Sequence, residues 1–129
     1  MNPIFDIGFA FDILPTLSEP LLITVQATIL GMSLAIVLGL ILALLRRARS
    51  EAIAVPTALF IAFARSTPLL VHMYSLFYVL PVTGVQMSPL ATGVLALGVH
   101  YAAYCAEVYR AGIEAVPRGQ LEAARALNL

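Results

Sequence analysis

Three apolar stretches, separated by short charged or turn-rich segments, set the pattern of this chain. Residues 21–45 read LLITVQATILGMSLAIVLGLILALL, 25 residues without a charge, where about 20 suffice to cross the hydrocarbon core of a bilayer. This predicts a first spanning helix over residues 21–45. Its flanks differ in charge. Asp6, Asp12 and Glu19 precede it with no Lys or Arg, and Arg46, Arg47 and Arg49 follow at once. A secretory leader would need a basic start, so the first apolar segment is expected to be retained. The positive-inside rule places the N-terminus outside and the RRARS loop in the cytoplasm.

The second stretch, residues 53–81, is too long for one simple span and is interrupted by FARSTPLL. An arginine at the bilayer centre costs about 2.5 to 3.5 kcal/mol, so Arg65 is expected at the cytoplasmic edge. Thr67 followed by Pro68 is a helix-start signal, a capping hydroxyl and then a residue whose missing N–H costs nothing in the first turn. These signals predict a second span over residues 67–81, ended by the turn-rich PVTGV. Residues 52–64 become a separate interfacial helix with Pro56 in its first turn. The alternative is one long tilted helix with Arg65 snorkelling to the interface. Ser88 and Pro89 repeat the cap-then-proline signal and open a third span over residues 89–106. That span delivers Glu107, Arg110, Glu114, Arg118, Glu122 and Arg125 to the side already assigned to the RRARS loop, giving three crossings.

Composition agrees. The 129 residues are 61% hydrophobic and 11% charged, with a mean hydropathy of +0.97, far from the roughly 25% charged residues of soluble domains. An integral membrane protein of the all-α class is implied. Seven arginines balance seven acids, which leaves no excess charge for nucleic acid. The lone Cys105 lies in an apolar run and reads as a small hydrophobe.

Within the spans, Ala27, Gly31, Ala35, Gly39 and Ala43 recur every four residues, with a shorter series in Gly98, Ala102 and Ala106. Lipid gives helices no hydrophobic reason to associate, so such stripes predict close backbone packing. Polar groups are few: Thr24, Gln26 and Thr28, then His72, Tyr74 and Tyr78, then His100, Tyr101 and Tyr104. Polar side chains in a membrane face a bundle interior or a wet cavity. His72, His100, Tyr101 and Tyr104 are therefore candidates for a translocation pathway. Interhelical hydrogen bonds are the plainer use of the histidines, and tyrosines near span ends also suit an interfacial belt.

Catalytic chemistry is thin. There is no phosphate-binding GxxxxGK[ST] loop, no HExxH and no paired cysteines, so neither enzyme, metal site nor cofactor is expected. All seven acids lie outside the three spans, which argues against an ion relay through buried carboxylates.

The tail YRAGIEAVPRGQLEAARALNL differs from the rest. After Pro117, residues 118–127 form a short helix with Leu121, Ala124 and Leu127 near one face and a Glu122–Arg125 pair on the other. Isolated helices below about 12 residues are marginal, so this one needs a docking partner. Asn128 stands where a left-handed helix end usually takes glycine.

The run AAYCAEVYRAGIEAVPRGQLEAARALNL resembles the third span and cytoplasmic loop of permease subunits from polar amino-acid ABC importers, and FARSTPLLVHMYSLFYVLP resembles the segment leading into that family's second span. The resemblance covers about residues 20–129. It implies the N-terminal three transmembrane helices of a type I importer permease in a bacterial inner membrane, with residues 118–127 as the coupling helix. The coupling role then falls on Gly119, Gln120, Glu122, Ala123, Ala124 and Asn128. The implied partners are a cytoplasmic ATP-binding subunit, an extracytoplasmic solute-binding protein, a second permease subunit (the same or a sister chain) and the lipid bilayer. The implied solute is a polar amino acid or an amino-acid-like osmolyte such as ectoine. Ser66, His72 and Asn128 depart from the family's usual Gly, Gln and Gly. Members also continue through two more spans, so a fragment is expected. A truncated product without function and a small scaffold that docks a cytoplasmic partner are the alternatives.

Overall fold

The computed structural model describes residues 7–127, so Asp6 of the acidic leader and Asn128 lie outside the described residues. The described residues form helices and no strand: α1 (Ile7–Arg46), α2 (Glu51–Ser66), α3 (Leu69–Tyr74), α4 (Pro89–Glu114) and α5 (Arg118–Ala126). The all-α reading stands. α1 and α4 are each long and apolar enough to cross a membrane, whereas α2 and the α3 segment meet that test only together.

α1 starts well before the apolar run and carries Asp12 and Glu19 in the same helix. At 1.5 Å per residue its 40 residues reach about 60 Å, twice the hydrocarbon thickness. Hydropathy marks where a helix is oily, not where it begins. Pro15 and Pro20 lie inside it. The hydroxyls of Ser18 and Thr24 donate to the carbonyls of Pro15 and Pro20 at 2.7 and 2.9 Å. Thr28 and Ser33 donate likewise to Thr24 and Ile29. Most of the small polar groups in this helix are thus satisfied within it.

α2 meets the α3 segment at 101°, which excludes one long straight helix through residues 53–81. Thr67 does not cap the helix that follows. Its hydroxyl and its N–H both donate to the Phe63 carbonyl, at 2.9 and 3.1 Å, and so close α2. Pro68 forces this outcome, because the residue before a proline is pushed to extended geometry, and Thr67 sits at φ −94°, ψ 128°. Pro56 lies at the sixth position of α2, beyond the first turn. Beyond α3 the helix widens into a π turn over Ser75–Val79 and tightens into a 3-10 turn over Leu80–Thr83. Gly84, at φ 91°, makes the left-handed stop that a side chain would disfavour.

Ser88 performs as its position suggests, accepting from the Ala91 N–H at 3.2 Å with Pro89 in the first turn. α4 then continues through Glu107, Arg110 and Glu114 without a break.

The centre of the fold is the α1–α4 seam. Gly31, Ala35, Gly39 and Ala43 are buried against Gly98, Ala102 and Ala106, so both small-residue series face each other. A Cβ added to Gly39 would lie 2.6 Å from the Cys105 Cβ and 3.0 Å from the Ala102 carbonyl oxygen, and one on Gly31 would lie 2.9 Å from the Leu97 Cβ. Large side chains point the other way: Leu22, Ile29, Val37 and Leu44 are all exposed. Small inside and large outside is the pattern expected where lipid, not water, is the solvent. Where α2 joins, Ile61 and Ala64 complete a core with Leu42, Ala43, Ala102, Ala103 and Ala106.

Candidate functional site

The four candidate pathway residues gather where the α2–α3 corner meets α4. His72 on α3 is half-buried and His100 on α4 is 8% exposed, with ring centres 5.4 Å apart. The His100 ring also lies 5.2 Å from Tyr101 and 5.3 Å from Tyr104, and Phe63 of α2 approaches His72 at 6.5 Å. The Nδ1 atoms of both histidines are buried without a hydrogen-bond partner. A buried nitrogen left so costs about 1 to 3 kcal/mol, and each can donate or accept depending on its tautomer. The corner thus offers two unused polar atoms in an aromatic wall. Tyr104 donates to the Arg65 carbonyl at 3.3 Å, and the Arg65 guanidinium stacks over its ring at 5.3 Å, within cation–π range.

Tyr101 turns partly away. With Thr28, Met32 and Leu97 it lines an open groove of about 320 Å³ along the α1–α4 seam. Tyr74 and Tyr78 do not join the histidines. Their rings lie 4.9 Å apart, and with Leu70, Met73, Phe77 and Thr92 they line a second groove, of about 260 Å³. The aromatic series on α3 is therefore divided between two places.

A cluster of charges lies beside this corner, and its reach across three helices was not legible in the sequence. Glu107 of α4 pairs with Arg46 from the last turn of α1, with Arg110 of its own helix at 2.9 Å and with Arg65 from the last turn of α2 at 3.7 Å. Arg110 reaches on to Glu114 at 2.6 Å. The i,i+3 and i,i+4 spacings of Glu107, Arg110 and Glu114 are visible in the sequence. Nothing local indicates Arg46 or Arg65 as partners. Arg65 belongs to both groups, with its side chain on Tyr104 and Glu107.

The predicted coupling residues from Gly119 to Ala124 lie on α5, which packs against none of the other helices among the described residues. Gly119, Gln120, Glu122 and Ala123 are exposed and Ala124 is half-buried. Asn128 falls outside the described residues. The expected Glu122–Arg125 pair does not form among the described residues, where both side chains are exposed and pairing would gain only a few tenths of a kcal/mol. Among the described residues there is no group of three or more His, Cys, Asp or Glu side chains that could hold a metal.

Residues 35–129 match the family described as binding-protein-dependent transport system inner membrane component. The probable amino-acid ABC transporter permease protein y4tG of Sinorhizobium fredii (strain NBRC 101917 / NGR234) is 48% identical over 124 residues, covering 96% of this chain and 54% of that protein. The L-cystine transport system permease protein TcyB of Bacillus subtilis (strain 168) is 33% identical over 115 residues, covering 89% of this chain and 49% of that protein. A solved structure described as the crystal structure of an amino acid ABC transporter with histidines superposes with a TM-score of 0.89 at 32% identity, over 98% of this chain and 59% of that one. The chain spans about half the length of these relatives.

Proposed function

The chain belongs to the family of binding-protein-dependent transport system inner membrane components, and from that premise we propose that it serves as a permease subunit of an ATP-driven ABC importer. Members of this family are membrane transport components, not enzymes. The cargo is a polar amino acid or an amino-acid-like osmolyte such as ectoine. The match to amino-acid ABC transporter permeases over nearly the whole chain, in sequence and in fold, carries this reading.

The working parts follow from placement. Arginines on the loop after α1 set the N-terminus outside and put α5 in the cytoplasm. There α5 docks on the ATP-binding subunit through Gly119, Gln120, Glu122, Ala123 and Ala124, with Asn128 at the position of the family's loop glycine. That it has no packing partner among the described residues supports this role, since a helix of nine residues is not stable alone. A solute-binding protein delivers cargo from outside, and a second permease subunit completes the pathway. His72, His100, Tyr101 and Tyr104 line that pathway, where the unused imidazole nitrogens supply hydrogen bonds to a polar solute.

The test is reconstitution in liposomes with the ATP-binding subunit, the binding protein and a mixture of the twenty radiolabelled L-amino acids plus ectoine. ATP-dependent uptake of at least one solute is expected, and Glu122→Ala should weaken the stimulation of ATP hydrolysis by loaded binding protein. Retention of the ATP-binding subunit without uptake would instead identify a scaffold.

A further inference from the structure

Glu107 is the acidic side chain that touches three helices. Its carboxylate takes Arg46 from α1, Arg65 from α2 at 3.7 Å and Arg110 from α4 through both Nε and Nη2, at 3.0 and 2.9 Å. The Glu107 side chain is only 19% exposed. Without it, three guanidinium groups would face one another at partly desolvated helix ends, where like charges repel more strongly than in water. The core beside this cluster is built mostly of alanines, Ala43, Ala64, Ala102, Ala103 and Ala106. Single methyl groups give close approach but little interlock, so the charges hold the ends of α1 and α2 against α4. Only Ala115, Val116 and Pro117 separate α4 from α5, and among the described residues α5 touches no other helix. Within the described residues, displacement of α5 therefore enters the three-helix unit through the end of α4, just beyond Glu107.

We infer that Glu107 is the positioning residue that ties the ends of α1, α2 and α4 into one block, so that displacement of α5 moves three helices together and not α4 alone. The inference rests on the reading of α5 as the segment that docks on the ATP-binding subunit. Arg110 and Glu114 extend the tie one turn toward α5, while Arg65 carries it to Tyr104 and the histidine pair. Motion at the tail is thereby handed to the polar corner through charge pairs.

The experiment compares the parent, Glu107→Gln, Glu107→Asp and Glu122→Ala in the reconstituted complex, with binding protein loaded from a mixture of the twenty L-amino acids. Uptake per ATP hydrolysed is the readout, with retention of the ATP-binding subunit and melting temperature as controls. Glu107→Gln, of the same shape but uncharged, should lower uptake per ATP by about tenfold, within the usual 5- to 150-fold range of coupling between sites. Retention of the subunit should be unchanged, and Glu107→Asp should recover most of the loss. Normal coupling in Glu107→Gln, beside loss of stimulation in Glu122→Ala, overturns the inference and leaves the role of α5 intact. Equal losses in the Gln and Asp variants with a lowered melting temperature also overturn it, because they mark a purely structural residue. If Glu122→Ala and Glu107→Gln both behave as the parent, or the parent itself shows no stimulation, the reading of α5 falls first and the inference with it.

Discussion

The α1–α4 seam and the charged end that leads into α5 are joined by one continuous helix, yet they are held by opposite means. Along the seam, Gly31, Gly39 and Gly98 let backbones approach until a single added methyl would collide. At the charged end, Arg46, Arg65, Arg110 and Glu107 hold three helices through charge, and beyond them α5 packs on no other helix among the described residues. The seam is a permanent joint, because dispersion at full contact is lost steeply with separation. The charged end is a remakeable one, because ion pairs at a wet boundary exchange with water at small net cost. The two regions are thus held by different chemistry.

The comparison breaks first at Gly39. Gly39→Leu forces a side chain onto Cys105 and the Ala102 backbone, and overpacking of this kind should cost about 3 kcal/mol. Thermal unfolding in detergent should show a large drop, whereas Gly112→Ala, where an added Cβ meets open space, should be neutral or stabilising by up to about 1 kcal/mol. Glu107→Ala comes next, with a loss of about 1 to 2 kcal/mol, since its charge-assisted hydrogen bonds are only partly shielded from water. A double-mutant cycle with Arg46→Ala should return a non-zero coupling energy that shrinks in 1 M salt, where the screening length is about 3 Å. Salt should leave the Gly39 effect unchanged. Tyr104→Phe removes one hydrogen bond of 3.3 Å to the Arg65 carbonyl but keeps the ring under the guanidinium, so its cost should stay near about 0.5 kcal/mol. Glu122→Ala on the free helix should change the stability of the chain by less than about 0.5 kcal/mol. Stimulated ATP hydrolysis should fall all the same, which would separate holding the fold from coupling it.

Much of this design was legible residue by residue. The four-residue recurrence through Gly31, Ala35, Gly39 and Ala43 announces a packed face because side chains i and i+4 share a helix surface. Ser88 with Pro89 marks a helix start because both signals act within one turn. Thr67 with Pro68 carries the same hydroxyl-then-proline signal and does the opposite. A cap signal is also a stop signal when a helix already arrives from the other side, and Phe63 was close enough to claim the hydroxyl. The start of α1 was missed because Asp12 and Glu19 interrupt hydropathy without interrupting helical hydrogen bonding. The polar reading of Thr24 and Thr28 weakened for a related reason, since each hydroxyl already bonds its own helix.

By itself the sequence determined the all-helical class, the apolar segments, the small-residue stripes and the polar helix after Pro117, because all of these depend on neighbours within one or two turns and on the solvent each face must meet. Only the tertiary structure decided which stripe meets which, turned α2 and α3 through 101°, and brought His72 beside His100. It also placed Arg46 on Glu107, 61 residues away. A charge repels or attracts whatever arrives near it, and the chain alone does not say what will arrive. That depends on the close approach of the backbones at Gly39, which sets the register of α1 against α4 and so determines which side chains meet at their ends.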